Sequence, residues 1–231
     1  MGDFANQLEA MAAAESVEDL WHRLEACETM FRIDQSIEPA MFHFATISRG
    51  EVEELRRVKD VVRGGHVARI TADAMQMKNG DSVTAEADTL YIDCTATAVQ
   101  FLDSSTRVVF PGDQISLQAL RAPLVATSAA IIAFVESNFE DEAEKNRLCT
   151  PVGLSDDPTQ WVPVFMANMM NTNTLISNPK LREWYSRCRL NPARRMPDDI
   201  EVDPELKQSF KDRIGKNMMP ALANLQKIMA G

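Results

Sequence analysis

The chain has 231 residues, 45% of them hydrophobic and 25% charged, with a formal net charge of −10. That balance describes a folded globular protein with room for a sizeable core, and it excludes the basic face that nucleic-acid phosphates require. No apolar run approaches the roughly 18 residues of a membrane span, and the start MGDFANQLEA has neither the basic opening nor the apolar core of a secretory signal. A cytoplasmic protein with no nucleic-acid and no membrane partner is therefore expected.

Helix is expected over the first thirty residues. Phe4, Leu8 and Met11 share a face, and Val17, Leu20, Leu24 and Cys27 continue after Glu15-Ser16. Ser16 with Asp19 forms a weak capping box that restarts the helix. FRIDQSIEPAMFHFATIS is irregular, and Pro39 breaks any helix there. Ser48-Arg49-Gly50-Glu51 is a capping box, with Ile47 and Val52 as a hydrophobic staple, and predicts a helix to about Lys59.

From Val61 to Cys94 the pattern turns strand-like. His66–Ile70, Ala74–Met77 and Ser82–Ala85 alternate, and Asn79-Gly80 between the last two predicts a hairpin with a type I′ turn. After Ala87-Asp88 the run Thr89-Leu90-Tyr91-Ile92 alternates less and reads as a central strand buried on both faces. Arg107–Phe110 and Gln114–Leu117 flank Pro111-Gly112-Asp113 as a further strand-turn-strand. A long helix then starts near Pro123 and runs to about Asn138. Its charge-free first half, LVATSAAIIAFV, implies burial on nearly all sides.

The remainder reads as helical. Asp157-Pro158, Asn178-Pro179 and Asp203-Pro204 repeat a cap-plus-proline start. Leu190–Asp203, with Pro192 and Pro197, reads as linker, and a last amphipathic helix is interrupted by Pro220, where a kink is expected. The basic pairs Arg56-Arg57 and Arg194-Arg195 read as solvated charges.

Few residues carry recognisable chemistry. His22, His43 and His66 have no second ligand at metal spacing and read as structural or surface residues, so no metal site is expected. Cys27, Cys94, Cys149 and Cys188 form no C-x-x-C and read as reduced, buried thiols. Trp161, Phe165 and Met169 share a helical face, as a core or subunit contact would, with a ligand pocket as the other reading. Gly64-Gly65 is followed by neither a third glycine nor a helix, so no phosphate-binding loop is present.

The meander, its Asn79-Gly80-Asp81 turn, Ala87-Asp88, and a strand ending in Thr95-Ala96-Thr97 together resemble the closing part of flavoproteins built from two dinucleotide-binding modules. Over roughly residues 4–195 the stretches RLEAC, RID, ATISR, DTL-IDCTA, AAIIAFVE and DEAEKNRLCTPV are similar to the C-terminal half of a bacterial family of NAD(P)/FAD-binding proteins. That family is in turn similar to flavin-containing monooxygenases and pyridine-nucleotide oxidoreductases. The resemblance implies an α+β chain, a fragment of an α/β two-dinucleotide-binding flavoprotein.

Five segments follow from that reading. They are an N-terminal helical segment (1–60), a β-meander and buried helix completing a dinucleotide-binding domain (61–138), a helical region (139–190), a linker (191–204) and a C-terminal helix (205–231). FAD and NAD(P) are the implied cofactors. Thr95, Ala96 and Thr97 are placed at the reacting end of the flavin, where small residues permit close backbone approach. Gln118 and Arg121 are candidates for polar or anionic contacts at the start of the long helix; the other reading pairs Gln118 with strand backbone and Arg121 with a surface carboxylate.

The family's glycine-rich loops lie upstream of the matched region, and Thr97 stands where the family has glycine. The chain is therefore expected to be inactive alone and to need a missing N-terminal dinucleotide-binding half or a partner subunit. The alternative is a non-enzymatic helical and β interaction module.

Overall fold

The computed structural model describes residues 2–42, 44–45, 47–86, 88–95, 107–191 and 203–230. It has mixed α+β content: helices α1 (Gly2–Ala13), α2 (Val17–Ala26) and α3 (Arg49–Leu55), strands β1 (Val67–Ile70), β2 (Ala74–Met77) and β3 (Ser82–Thr84), then helices α4 (Val125–Asn138), α5 (Glu142–Leu148), α6 (Trp161–Ser177), α7 (Pro179–Arg187) and α8 (Pro204–Ala230). Contacts divide the chain into two units, one formed by Met1–Arg49 with Phe101–Gly231 and the other by Gly50–Gln100. The expected linker 191–204 falls mostly outside the described residues, as do Pro192, Pro197 and the Arg194-Arg195 pair.

The helix boundaries follow local chemistry. Ser16 accepts from the Asp19 N–H at 3.0 Å, and Asp19 reaches back to the Glu15 N–H at 2.8 Å, so α2 restarts after α1 as the sequence predicts. Asp157, Asn178 and Asp203 accept from the N–H groups of Thr159, Lys180 and Glu205 at 2.8, 3.1 and 2.9 Å, each with proline at the next position. Pro220 does not interrupt the last helix, because α8 runs through it.

Three clusters of buried side chains fill the larger unit. In one, Leu8, Met11, Leu20 and Leu24 from α1 and α2 meet Trp161 and Val162 of α6 and Ala221 and Leu225 of α8. The polar seam of α1 against α8 is equally specific. Arg213 donates to both Glu9 carboxylate oxygens at 2.7 Å, and Asn224 donates to the carbonyls of Met11 and Ala14 at 2.8 and 2.7 Å, capping the end of α1. In the second, Ile131, Ile132 and Val135 of α4 pack with Leu148, Leu175, Leu181, Tyr185, Val109, Phe110 and Leu120. A small third cluster joins Ala122, Val152 and Val164. Burial of α4 is one-sided rather than nearly complete, since Val125, Ala126 and Ala133 face solvent.

Residues 107–120 do not form the expected strand pair. Their arms exchange a single backbone bond, Ser116 N–H to Val109 C=O at 2.7 Å, and Phe110 instead exchanges two bonds with the Asn146 side chain, at 2.9 and 2.8 Å.

The smaller unit carries an antiparallel sheet in the order β1-β2-β3, with Ile70 opposite Met75 and Met75 opposite Val83. The Asn79-Gly80 hairpin is present, but its turn is not type I′. Only Gly80 has positive φ, at 96°, and the bonds from Gly80 N–H to Met77 C=O and from Met77 N–H to Asp81 C=O mark a three-residue loop ending in a left-handed glycine. Thr89–Ile92 is a second correction. It forms no strand, and Leu90 and Ile92 are 82% and 75% exposed. Its apolar character is real, but a strand needs a neighbour, and none lies among the described residues of this unit. Ala87, in the expected turn before it, lies outside the described residues.

One stretch outside any helix or strand lies at the junction of two of the clusters. Ser128, 1% exposed in α4, accepts from the N–H groups of Leu120 and Arg121 at 3.0 and 3.1 Å and donates to the Leu124 carbonyl at 2.9 Å. Removing its hydroxyl strands two backbone donors, so Ser128→Ala is expected to cost about 2 kcal/mol in urea denaturation. The exposed Ser137 makes the same turn-back bond and nothing else, at 2.9 Å to Ala133; Ser137→Ala should stay within about 0.5 kcal/mol of the parent. Equal midpoints for the two variants would contradict this role for Ser128.

Candidate functional site

The start of α4 is where a side chain of interest is held most firmly. Around Arg121 every backbone polar group from the Ala119 carbonyl to the Ala122 carbonyl has a partner. Val152 N–H bonds Ala119 C=O at 2.7 Å, and Asn171 bonds Leu120 C=O at 2.9 Å. Leu124 N–H bonds Arg121 C=O, and Asn168 takes both the N–H and the C=O of Ala122, at 2.9 and 2.8 Å. Such complete pairing is what a buried irregular stretch needs. It fixes the Cα of Arg121 and thereby the origin of its side chain.

The Arg121 guanidinium itself has no hydrogen bond and no carboxylate partner among the described residues. The alternative reading of a surface ion pair is thus not realised. Its charge instead acts on the Tyr185 phenol of α7. Tyr185 is 6% exposed, and its hydroxyl has no hydrogen-bond partner among the described residues. Burial pushes this phenol above its usual range, the Arg121 cation pulls it back, and the Cys188 thiol pushes it further up. The N-terminal turn of α4 begins four residues beyond Arg121 and has no side-chain cap and no acidic residue. Thr127, which could have served it, gives its hydroxyl to the Leu190 carbonyl at 3.0 Å.

Gln118 is engaged with backbone that belongs to no strand, its amide nitrogen donating to the carbonyls of Arg107 and Val108 at 3.2 and 3.5 Å. Thr95 belongs to the smaller unit. Its hydroxyl and N–H both donate to one Asp93 carboxylate oxygen, at 2.6 and 2.9 Å, and they hold Asp93 below the usual carboxylate range. Ala96 and Thr97 lie outside the described residues.

His22 and His66 are exposed, and His43 lies outside the described residues. Among the described residues no group of three or more His, Cys, Asp or Glu side chains could hold a metal ion. Trp161 and Phe165 stack at 5.3 Å within a core cluster, while Met169 is half-buried. Sequence reasoning found Arg121 but missed Tyr185, which reads as an ordinary aromatic on the apolar face of an amphipathic helix. Only the orphaned hydroxyl distinguishes it, and that is a tertiary property.

The chain is 37% identical over 222 residues to uncharacterized proteins of Mycobacterium tuberculosis and Mycobacterium bovis, a match covering 96% of this chain and 41% of each relative. It therefore spans less than half the length of the curated relatives it matches. No family model matches the sequence, and no solved structure matches it.

All four cysteines are free, and only Cys94 is exposed. Burial pushes the Cys149 thiol from 9.0 up to about 12. Brief treatment with iodoacetamide is expected to label Cys94 in the folded protein and Cys149 only after denaturation, as read by peptide mass spectrometry. Because the folded thiol keeps its proton longer than the unfolded one, its stabilising contribution is complete below about pH 9 and is lost as pH rises toward 12. The melting temperature of Cys149→Ala should accordingly fall less steeply than the parent's above pH 9.

Proposed function

We propose that this chain is the C-terminal portion of an FAD-dependent, NAD(P)-linked oxidoreductase or monooxygenase-like protein, inactive until joined by a dinucleotide-binding half on a further stretch of polypeptide. The observation that carries this reading is the state of residues 50–95. Among the described residues of that unit only Val52 and Met77 are buried hydrophobics, whereas Val58, Val61, Val62, Val67, Ile70, Leu90 and Ile92 are exposed. Burying a side chain of this size contributes about 1.5–3 kcal/mol. Thr89–Ile92, a strand-like sequence without a strand neighbour, would gain both that burial and its backbone hydrogen bonds by joining a sheet.

The length of the relatives supports the same reading, since more than half of each lies beyond the matched region and leaves ample polypeptide for such a sheet. In this proposal Thr95, Ala96 and Thr97 follow the docked strand toward the flavin ring. Gln118 and Arg121 supply polar contacts, Gln118 through its amide oxygen because its nitrogen is already engaged. The four unpaired cysteines fit a reducing, cytoplasmic setting, and no helix among the described residues is long and apolar enough to cross a membrane. The second reading, a non-enzymatic interaction module, draws on exposed Met170, Met219 and Met229 on α6 and α8, the adaptable side chains of a partner surface.

Co-expression of this chain with the polypeptide encoded beside it tests the proposal. Co-purification as a yellow complex that oxidises NADPH or NADH is the expected result, and Leu90→Asp with Ile92→Asp should abolish assembly while leaving the thermal unfolding of the helical unit unchanged. A colourless complex without flavin, or assembly indifferent to those two changes, would leave the interaction module as the better reading.

A further inference from the structure

The stretch 55–70 runs from the end of α3 to the end of β1 and reverses the charge of the protein around it. It carries five basic residues and one acidic residue, Asp60, within a chain of net charge −10. All six of its large aliphatic side chains, Leu55, Val58, Val61, Val62, Val67 and Ile70, are between 42% and 60% exposed. Arg57, Lys59, Arg63 and Arg69 stand exposed among them. Arg57 meets Glu54 of α3, an exposed pair of the kind that water screens and another carboxylate can replace.

The sheet extends the apolar part of this surface. Residues directly opposite each other on paired strands share a face. Ile70 stands opposite Met75 and Met75 opposite Val83, so one face presents an apolar row across all three strands. Arg69, Gln76 and Ser82 make the matching row on the other face. Met77 shares the face of Met75, two residues back along β2. Gly64 lies against Met77, where an added Cβ would come within 3.3 Å of the Met77 Cγ. The basic stretch therefore reaches the sheet on its apolar side. Met77 is buried there, whereas Ile70 stays 45% exposed.

We propose that residues 55–70 and the Ile70–Met75–Val83 face dock an acidic, apolar surface of the further polypeptide that completes this unit. The inference rests on the reading above, that such polypeptide joins the chain, and adds the chemistry of its contacting side. Aliphatic burial supplies attraction without direction, whereas carboxylates set against Arg57, Lys59 and Arg63 fix orientation and speed encounter. A twofold contact with a second copy would instead set like charges against each other. Nucleic acid is a poor occupant, because acidic residues dominate the rest of the chain.

The chain is mixed with the polypeptide encoded beside it, and affinity is measured by calorimetry from about 0.05 to about 0.5 M sodium chloride. Affinity is expected to fall about tenfold or more across that range. Arg57→Glu with Lys59→Glu and Arg63→Glu should weaken binding by about tenfold or more, and Arg57→Lys with Arg63→Lys should retain it. Arg189→Glu with Lys211→Glu and Lys227→Glu makes the same change in net charge at exposed positions of the larger unit and should leave binding unaltered. Circular dichroism and melting check the fold of each variant, and the salt series on the parent chain decides the matter even where a reversal unfolds the smaller unit. Indifference to salt, indifference of a folded variant to the reversal, self-association through this surface, preference for phosphatidylserine vesicles over the polypeptide, or no complex at all would overturn the proposal. A charge-dependent complex without flavin sinks the oxidoreductase reading and leaves this one standing. A yellow, NADPH-oxidising complex indifferent to charge does the converse.

Discussion

A buried peptide group must have a hydrogen-bond partner, and residues 119–122 meet that demand without belonging to any helix or strand. Side chains from two helices supply most of what a sheet would otherwise provide. Ser128 of α4 and Asn168 and Asn171 of α6 bind the backbone at five points. Around this clamp the hydrophobic clusters close, one through Leu120 and another through Ala122. The arginine between those two residues is fixed at its base while its charged end is left uncommitted. Structure and prospective chemistry therefore share a single piece of backbone.

The two units obey different rules. The helical one buries a core of its own: Leu8, Leu24, Val135, Leu181 and Leu225 are fully buried. The Gly50–Gln100 unit leaves all four residues of β1 exposed and rests on a sheet of three short strands, below what usually suffices for independent stability without a packed face. Its hairpin geometry is nonetheless well specified, with Asn79 accepting from Asp81 N–H at 3.0 Å and Gly80 in the left-handed region. Local turn chemistry is complete there; burial is not.

What was legible in the sequence follows the same division. Caps at Ser16, Asp157, Asn178 and Asp203 are local, so their residues announce them, and the strands around Asn79-Gly80 follow from short-range alternation. Thr89–Ile92 was misread because an apolar run rich in β-branched and aromatic residues reports a preference, whereas strand formation depends on a neighbour far away in sequence or on another polypeptide. Arg107–Leu117 was misread for a related reason: Asn146 takes the hydrogen bonds of Phe110 that a facing strand would have taken. The clamp was invisible, since Asn168 and Asn171 act on residues 46 and 51 positions away. Arg121 drew notice through its place before a helix, but the orphaned hydroxyl of Tyr185 gave no signal.

The seam between α1 and α8 joins residues more than 200 positions apart, as in the pairs Glu9–Arg213 and Met11–Asn224. Synthesis proceeds from the N-terminus at about 5–20 residues per second. While the residues between the two helices are being made, α1 presents Leu8 and Met11 without the Leu225 layer that finally covers them. Completion of this core thus waits until α8 has been made. A ribosome-bound nascent chain would be a natural client for holdase chaperones until α8 emerges from the exit tunnel.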